Sequence, residues 1–288
     1  MKRNEVRRYQ ESQIAILDYI VGICEKIDVT YYLGFGTLLG AVRHKGFIPW
    51  DPDIDIVMFR EDYERFCSYC EEHNSDGSVF IDDYRTEKNH ISSHAIIRIP
   101  GTHVIHHNTV KRRYVSKNDG IYIDVFPLDN VPDNTNAENK QINDIKRIER
   151  LMALKQAPKY KEKTHVIKSF VKNIVSDILL IVSMRFLNKM RDTIMRRYEY
   201  EKTKRVAVFV DPAKYNHKTL QFPVEWFGNP VRVDFEGKKY NAPAEYDNFL
   251  RKRYGDYMKL PPENECWSYL DNVLEKVDYG TYTENVHI

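Results

Sequence analysis

The 288-residue sequence predicts an α+β domain interrupted by a block of helices, and three features carry that expectation. Short strand-like segments alternate with amphipathic helices over the first 132 residues, a mixture that indicates an α/β or α+β layer arrangement. A long helical section follows over 133–204. Short strands and turns then return from Arg205 onward. The expected organisation is a core over 1–132, a helical insertion over 133–204, and a C-terminal part over 205–288 that completes the core.

The elements follow in order. Ile14, Leu17, Val21, Cys24 and Ile27 recur at three- and four-residue steps and give the first helix an apolar stripe. Val29 to Leu33 reads as a strand ending at Gly34-Phe-Gly36. Thr37 is placed to cap a short helix through Leu38, Leu39 and Val42, because its hydroxyl accepts from orphan amides of a first turn. After a loop over Lys45–Pro52, Asp53 to Phe59 reads as a strand and Glu61 to His73 as a helix. Val79–Ile81, His94–Ile99 and Ile121–Phe126 are further strands. Asp133-Asn-Thr-Asn136 opens the helical section, which breaks near Ala157-Pro158 because proline interrupts a helix. Tyr246 to Arg253 reads as the last helix.

Composition excludes several classes. With 42% hydrophobic and 30% charged residues the chain is neither disordered nor membrane-embedded. No run reaches the ~18 apolar residues of a spanning helix. A net charge of +2 argues against a nucleic-acid partner, which usually selects a clear basic excess. The charged start, Met1-Lys-Arg-Asn-Glu, lacks the apolar core of a secretory signal. Four cysteines in a chain this long are no disulfide framework, so a reducing, cytoplasmic setting is expected.

The chemistry concentrates between Gly34 and Ile56. On a strand, Asp53 and Asp55 share a face while Ile54 and Ile56 enter the core. Two carboxylates side by side call for a cation, and Mg²⁺ or Mn²⁺ suits oxygen ligands while leaving positions for phosphate. Asp-x-Asp alone is common, and an exposed polar strand face is the plainer reading. Its context is what raises it. Gly36-Thr37 opens a helix whose amides can receive phosphate. Arg43, His44 and Lys45 place cations before the acidic strand. Asp124 lies between Ile123 and Val125, where an unpaired charge is costly.

Strand, Gly-Thr, helix, loop, Asp-x-Asp and a later strand Asp is similar to the layout of nucleotidyltransferase-fold (polymerase-beta-like) enzymes, a mixed sheet flanked by helices. The segment Gly36-Thr-Leu-Leu-Gly-Ala-Val-Arg-His-Lys-Gly-Phe-Ile-Pro-Trp50 ahead of the acidic strand resembles the hallmark of the LicD family of phosphocholine transferases, relatives of the fukutin-type proteins. Ile123–Asp129, Phe222–Phe227 and Tyr254–Met258 leading to Pro261-Pro262 extend the likeness. Pro52 stands where the family usually carries a further acid.

The resemblance implies transfer of phosphocholine, or a related phospho-alcohol, from CDP-choline or another CDP-alcohol to a sugar hydroxyl of a cell-surface glycan such as lipopolysaccharide or teichoic acid, or its lipid-linked precursor. It implies Asp53, Asp55 and Asp124 as metal ligands and catalytic carboxylates, with Asp124 as proton acceptor. Gly36, Thr37, Arg43, His44, Lys45, Trp50, Asp51 and Arg98 are the expected substrate contacts, and Trp226 with Phe227 the candidate head-group rings. The alternatives are true nucleotidyl transfer with pyrophosphate release, or a silent binding module of the same fold.

Other features read more simply. Cys67 and Cys70 lie on an apolar stripe with Tyr63 and Phe66, so buried thiols are expected rather than half a zinc site. His90, His94, His103, His106 and His107 read as surface or turn histidines. The apolar face from Ile167 to Val182 is expected to pack on the core, or else to rest on the inner face of the cell membrane as a peripheral contact.

Overall fold

The computed structural model describes residues 3–73, 77, 79–106, 119–157, 166–210, 217–262, 266–267 and 274–280, with His107 outside them. Its elements are α1 (Arg3–Ile27), β1 (Tyr32–Leu33), α2 (Phe35–His44), β2 (Asp55–Phe59), α3 (Arg60–His73), β3 (Phe80–Asp82), β4 (Ala95–Arg98), β5 (His103–His106) and β6 (Tyr122–Val131). The helical block holds α4 (Thr135–Gln156), α5 (Val166–Leu179) and α6 (Met184–Met195). β7 (Arg205–Ala207), β8 (Gln221–Pro223), β9 (Val231–Phe235), β10 (Lys238–Ala242), α7 (Tyr246–Tyr254) and β11 (Leu274–Asp278) follow.

Seven strands form one mixed sheet, β1-β2-β6-β4-β3, with β7 on β6 and β8 on β7. β2 and β6 run parallel; the other pairings are antiparallel. β6 is the spine because its ten residues serve successive neighbours. Tyr122–Val125 face β4, Asp124–Leu128 face β2, and Asp129–Val131 face β7. Residues from beyond the helical block therefore continue the sheet begun before it.

α1 and α3 both pack against β6. The buried stripe of α1 is Val6, Tyr9, Ile16, Leu17, Ile20, Ile23 and Cys24. This corrects the sequence reading, since Ile14, Val21 and Ile27 are only half-buried at its margin. Two polar side chains sit within the same face. Gln10 donates to the carbonyls of Ile48 (3.2 Å) and Asp51 (2.8 Å), and Gln13 to that of Tyr122 (2.8 Å). They satisfy loop and strand-end carbonyls that burial would otherwise leave unpaired.

Cys67 and Cys70 are buried with Tyr63 and Phe66, as expected. The first strand is shorter than read, two residues rather than five, and the acidic strand begins at Asp55 rather than Asp53. Thr37 does not cap α2: Gly34 is the N-cap and makes no side-chain bond. The Thr37 hydroxyl instead accepts the Asp55 N–H at 2.8 Å, tying the helix to the acidic strand.

The helical block breaks twice, after Gln156 as the proline predicts and again between Leu179 and Ser183, where Ser183 caps α6 by accepting from Phe186 N–H. α4 and α6 close over two small apolar clusters, one of which includes Val131 of β6 and Ala207 of β7. α6 is bonded into the core at several points. Asn188 donates to the His90 carbonyl at 2.7 Å, and Arg185 donates to the carbonyls of Tyr84 and Arg85.

α5 departs from the core expectation. Phe170, Ile174, Ile178 and Ile181 form an exposed stripe, with Ile181 88% exposed, while Ser176 and Leu179 are buried. Lys155 of α4 holds its C-terminal end by donating to the Leu179 carbonyl at 3.0 Å.

Candidate active site

The chain's acidic residues meet where β2 and β6 start side by side. Asp55 and Asp124 are direct partners across the two parallel strands, so both carboxylates leave the same face of the sheet. Asp124 N–H donates to the Ile54 carbonyl at 3.1 Å, which fixes Asp53 one residue upstream. Ile54 and Ile56 are buried, as the alternation requires. Asp51 turns back towards α2, where a Cβ on Gly36 would lie 2.4 Å from its Oδ2. Glycine at 36 is therefore needed for this carboxylate to approach the start of the helix.

A cavity of about 540 Å³ opens over these groups. It takes in Gly36, Trp50, Asp51, Asp53, Asp55 and Asp124, together with the rings of Phe35, Phe126 and Tyr254. All four acids are half-buried, with part of each surface on the cavity. Burial and then mutual repulsion push the Asp53 and Asp55 carboxyls well above the usual range. Burial takes Asp51 up to about 6, opposed by the hydrogen bond from Asp53 N–H. Asp53 Oδ1 is buried with no hydrogen-bond partner. Such a group is stable as an anion only if something positive comes to it.

That donor set fits a hard divalent cation. Among the described residues no three His, Cys, Asp or Glu side chains form a ready-made ligand set. Mg²⁺ rarely needs one, since it is usually held by one or two carboxylates plus water and substrate phosphate. The orphaned Asp53 oxygen and the raised Asp55 carboxyl are the pair suited to that arrangement.

The sequence-predicted contacts separate into two groups. Gly36, Trp50 and Asp51 join the carboxylates at the cavity. Thr37 is buried behind Asp55, where it positions the strand. Arg43, His44 and Lys45 belong to the opposite end of α2, about 10–14 Å along the axis from Gly36 at the helical rise. There Arg43 donates to His44 Nε2 (2.9 Å) and to the Tyr257 carbonyl (2.8 Å), while Lys45 takes the left-handed C-cap position. Burial, then the neighbouring Arg43 charge, lowers the His44 pKa.

Arg98 is bound to Asp82 Oδ2 (2.8 Å) and the Gly120 carbonyl (3.1 Å). Trp226 lies beneath Lys252, whose Nζ is 5.9 Å from its ring centroid. Phe227 is fully buried against Tyr32 and Phe59 and is a core ring, not a head-group contact.

Two functional candidates escaped the sequence reading. His94, taken there for a surface or turn residue, lines the cavity with its Nε2 3.0 Å from Asp124 Oδ1 and its Nδ1 buried without a partner. His90, also read there as a surface or turn residue, is buried and bonded to Asp82 Oδ1 at 2.7 Å. Arg253, at the end of α7, is the cation that reaches the carboxylates and pulls against the upward shift of Asp55. Its only sequence signal was its place beside the Tyr254-Gly-Asp-Tyr-Met258 segment.

The chain resembles known proteins over the segment that carries this site. Residues 28–143, which hold all four acids, match the family described as LicD/FKTN/FKRP, nucleotidyltransferase domain. The chain is 28% identical over 270 residues to the lipopolysaccharide cholinephosphotransferase LicD of Haemophilus influenzae, covering 92% of this chain and 96% of that protein. It is 50% identical over 44 residues to the ribitol 5-phosphate transferase FKRP of Homo sapiens, which is 15% of this chain and 9% of that one. The resemblance to the LicD family is thus shown, and the related proteins are named phosphotransferases.

Proposed function

We propose that this chain is a LicD-like phosphotransferase that moves phosphocholine, or a related phospho-alcohol, from a CDP-linked donor to a sugar hydroxyl of a surface glycan or its precursor. The observation that carries this reading is the half-buried cluster of Asp53, Asp55 and Asp124 over one cavity, with Asp53 Oδ1 unpartnered. In-line displacement at phosphorus needs charge neutralisation and alignment more than covalent help. Mg²⁺ or Mn²⁺ held by Asp53 and Asp55, with substrate phosphate and water completing its shell, would supply that neutralisation.

The chain's own residues do the rest. Arg253 faces the same cavity and suits a donor phosphate. Phe35, Trp50, Phe126 and Tyr254 give ring faces for an alcohol head group such as choline. Asp124 takes the proton of the attacking hydroxyl as the donor P–O bond breaks and CMP leaves, with His94 holding its Oδ1. The exposed stripe of α5 favours peripheral contact with a membrane, where a lipid-linked acceptor resides. Among the described residues no helix is long and apolar enough to cross one.

The test is donor cleavage by the purified full chain with Mn²⁺ and a panel of CDP-alcohols. CMP release that EDTA stops, and that Asp53→Ala reduces by about 10³-fold or more, is expected. Release of pyrophosphate from a nucleoside triphosphate would move the assignment to nucleotidyl transfer, and near-normal activity of Asp53→Ala would sink it.

A further inference from the structure

A second cavity, of about 430 Å³, adjoins the first and shares His94 and Val210 with it. Its walls are α4, the 91–93 segment and Arg191 of α6. We propose that this is the acceptor subsite and that it receives a hydroxyl-rich sugar unit, an inference that rests on the phosphotransfer reading above. Anything seated there meets the donor cavity at the His94–Asp124 pair.

The lining identifies the occupant. Gln156 is 9% exposed and its Nε2 has no hydrogen-bond partner. His94 Nδ1 is also buried and unpartnered. Unmet buried polar atoms are costly unless a ligand or water satisfies them. Glu149 adds a carboxylate that accepts, and Ser92 and Ser93 add hydroxyls that both donate and accept. Met152 and Ala153 offer an apolar patch for the C–H face of a sugar ring.

The wall is firm on the far side. Arg191 donates to the Ile91 carbonyl (3.0 Å), the Ser92 carbonyl and Asn188 Oδ1 (2.6 Å), and its guanidinium is 3.9 Å from Glu149. With those partners Arg191 is committed to the wall, and Glu149 would repel a phosphate. A quaternary ammonium fits poorly too, because among the described lining His94 is the sole aromatic ring, whereas the donor cavity has four other rings. The volume lies within the range of small-molecule sites, about 300–1,000 Å³.

Ala153 is exposed on α4 at the edge of this cavity, so Ala153→Trp places an indole there without disturbing the core. Gln156→Leu removes the unpartnered amide at nearly constant size. Binding of a panel of methyl hexosides and N-acetylhexosamines to the full chain is followed by ligand-observed NMR, alongside CDP-choline binding with Mn²⁺. At least one sugar is expected to bind the natural protein saturably. Affinity should weaken about tenfold in Ala153→Trp and about fivefold in Gln156→Leu, with CDP-choline binding within about twofold.

No sugar binding by the natural protein, or unchanged sugar binding in both variants, overturns the assignment. Weakened CDP-choline binding with sugar binding intact would give the cavity to the donor and also overturns it. Sugar binding is read without turnover. A protein that binds sugar here but cleaves no CDP-alcohol would therefore refute the phosphotransfer reading and the acceptor role, and leave only the sugar site standing.

Discussion

Asp55→Asn separates charge repulsion from catalysis at the acidic cluster. Asp55 and Asp124 are level across β2 and β6, and strands in a sheet are ~4.8 Å apart. Two unit charges at that spacing repel by roughly 3 kcal/mol at an effective dielectric of about 20. The asparagine amide brings donors the site does not satisfy, costing about 1 kcal/mol or somewhat more. Metal-free Asp55→Asn should therefore be more stable than the natural protein by about 1–2 kcal/mol at pH 8.

The sign depends on pH. The Asp55 carboxyl is pushed up by burial and by its neighbours, so the folded state holds a proton that the unfolded chain has already released. Stability of the natural protein is then lost as pH rises from the ordinary carboxylate value through the raised one. Asp55→Asn should be about 1 kcal/mol less stable than the natural protein near pH 4, where only the amide cost remains, and should gain relative stability towards pH 8. Thermal unfolding in EDTA at both values measures it, with a gain of roughly 2–8 °C expected at the higher pH. Mn²⁺ should raise the melting temperature of the natural protein and leave the variant little changed. An Asp55→Asn protein equally destabilised at both pH values would refute the repulsion argument.

Two further outcomes follow from the packing. Arg60 and Asp129 form a buried two-fold bridge (2.7 and 2.6 Å) that joins α3 to β6, so Arg60→Leu should cost about 3–5 kcal/mol in urea unfolding, and adding Asp129→Leu should recover much of it. Ile178→Asp, on the exposed stripe of α5, should leave the melting temperature within about 1–2 °C yet reduce flotation with anionic liposomes several-fold; equal flotation of both proteins would remove α5 as the membrane contact.

Much of the site was legible because its strongest signals are local. Asp53 and Asp55 are two residues apart where the chain enters β2, with Ile54 buried between them, so their shared side follows from local alternation. The α7 boundaries and the helix stop at Ala157 were equally local, set by apolar spacing and by proline. The run around Gly36 also carried the likeness to the LicD family, whose model matches residues 28–143.

Long-range pairing decided the remainder. Thr37 looked like a cap, but the register of β1 and β2 brings the Asp55 amide to its hydroxyl. Arg43, His44 and Lys45 are close to Gly36 in sequence, yet a ten-residue helix carries them to its far end. The cation at the carboxylates is Arg253 instead, about two hundred residues from Asp53. His94 acquires its place because β4 lies beside β6, which brings it within 3.0 Å of Asp124. The sequence by itself determined the acids at the start of β2 and the likeness to the LicD family. Only the tertiary structure decided which cation and which histidine meet those acids, because sheet order is settled by burial summed over the whole chain rather than by neighbours in sequence.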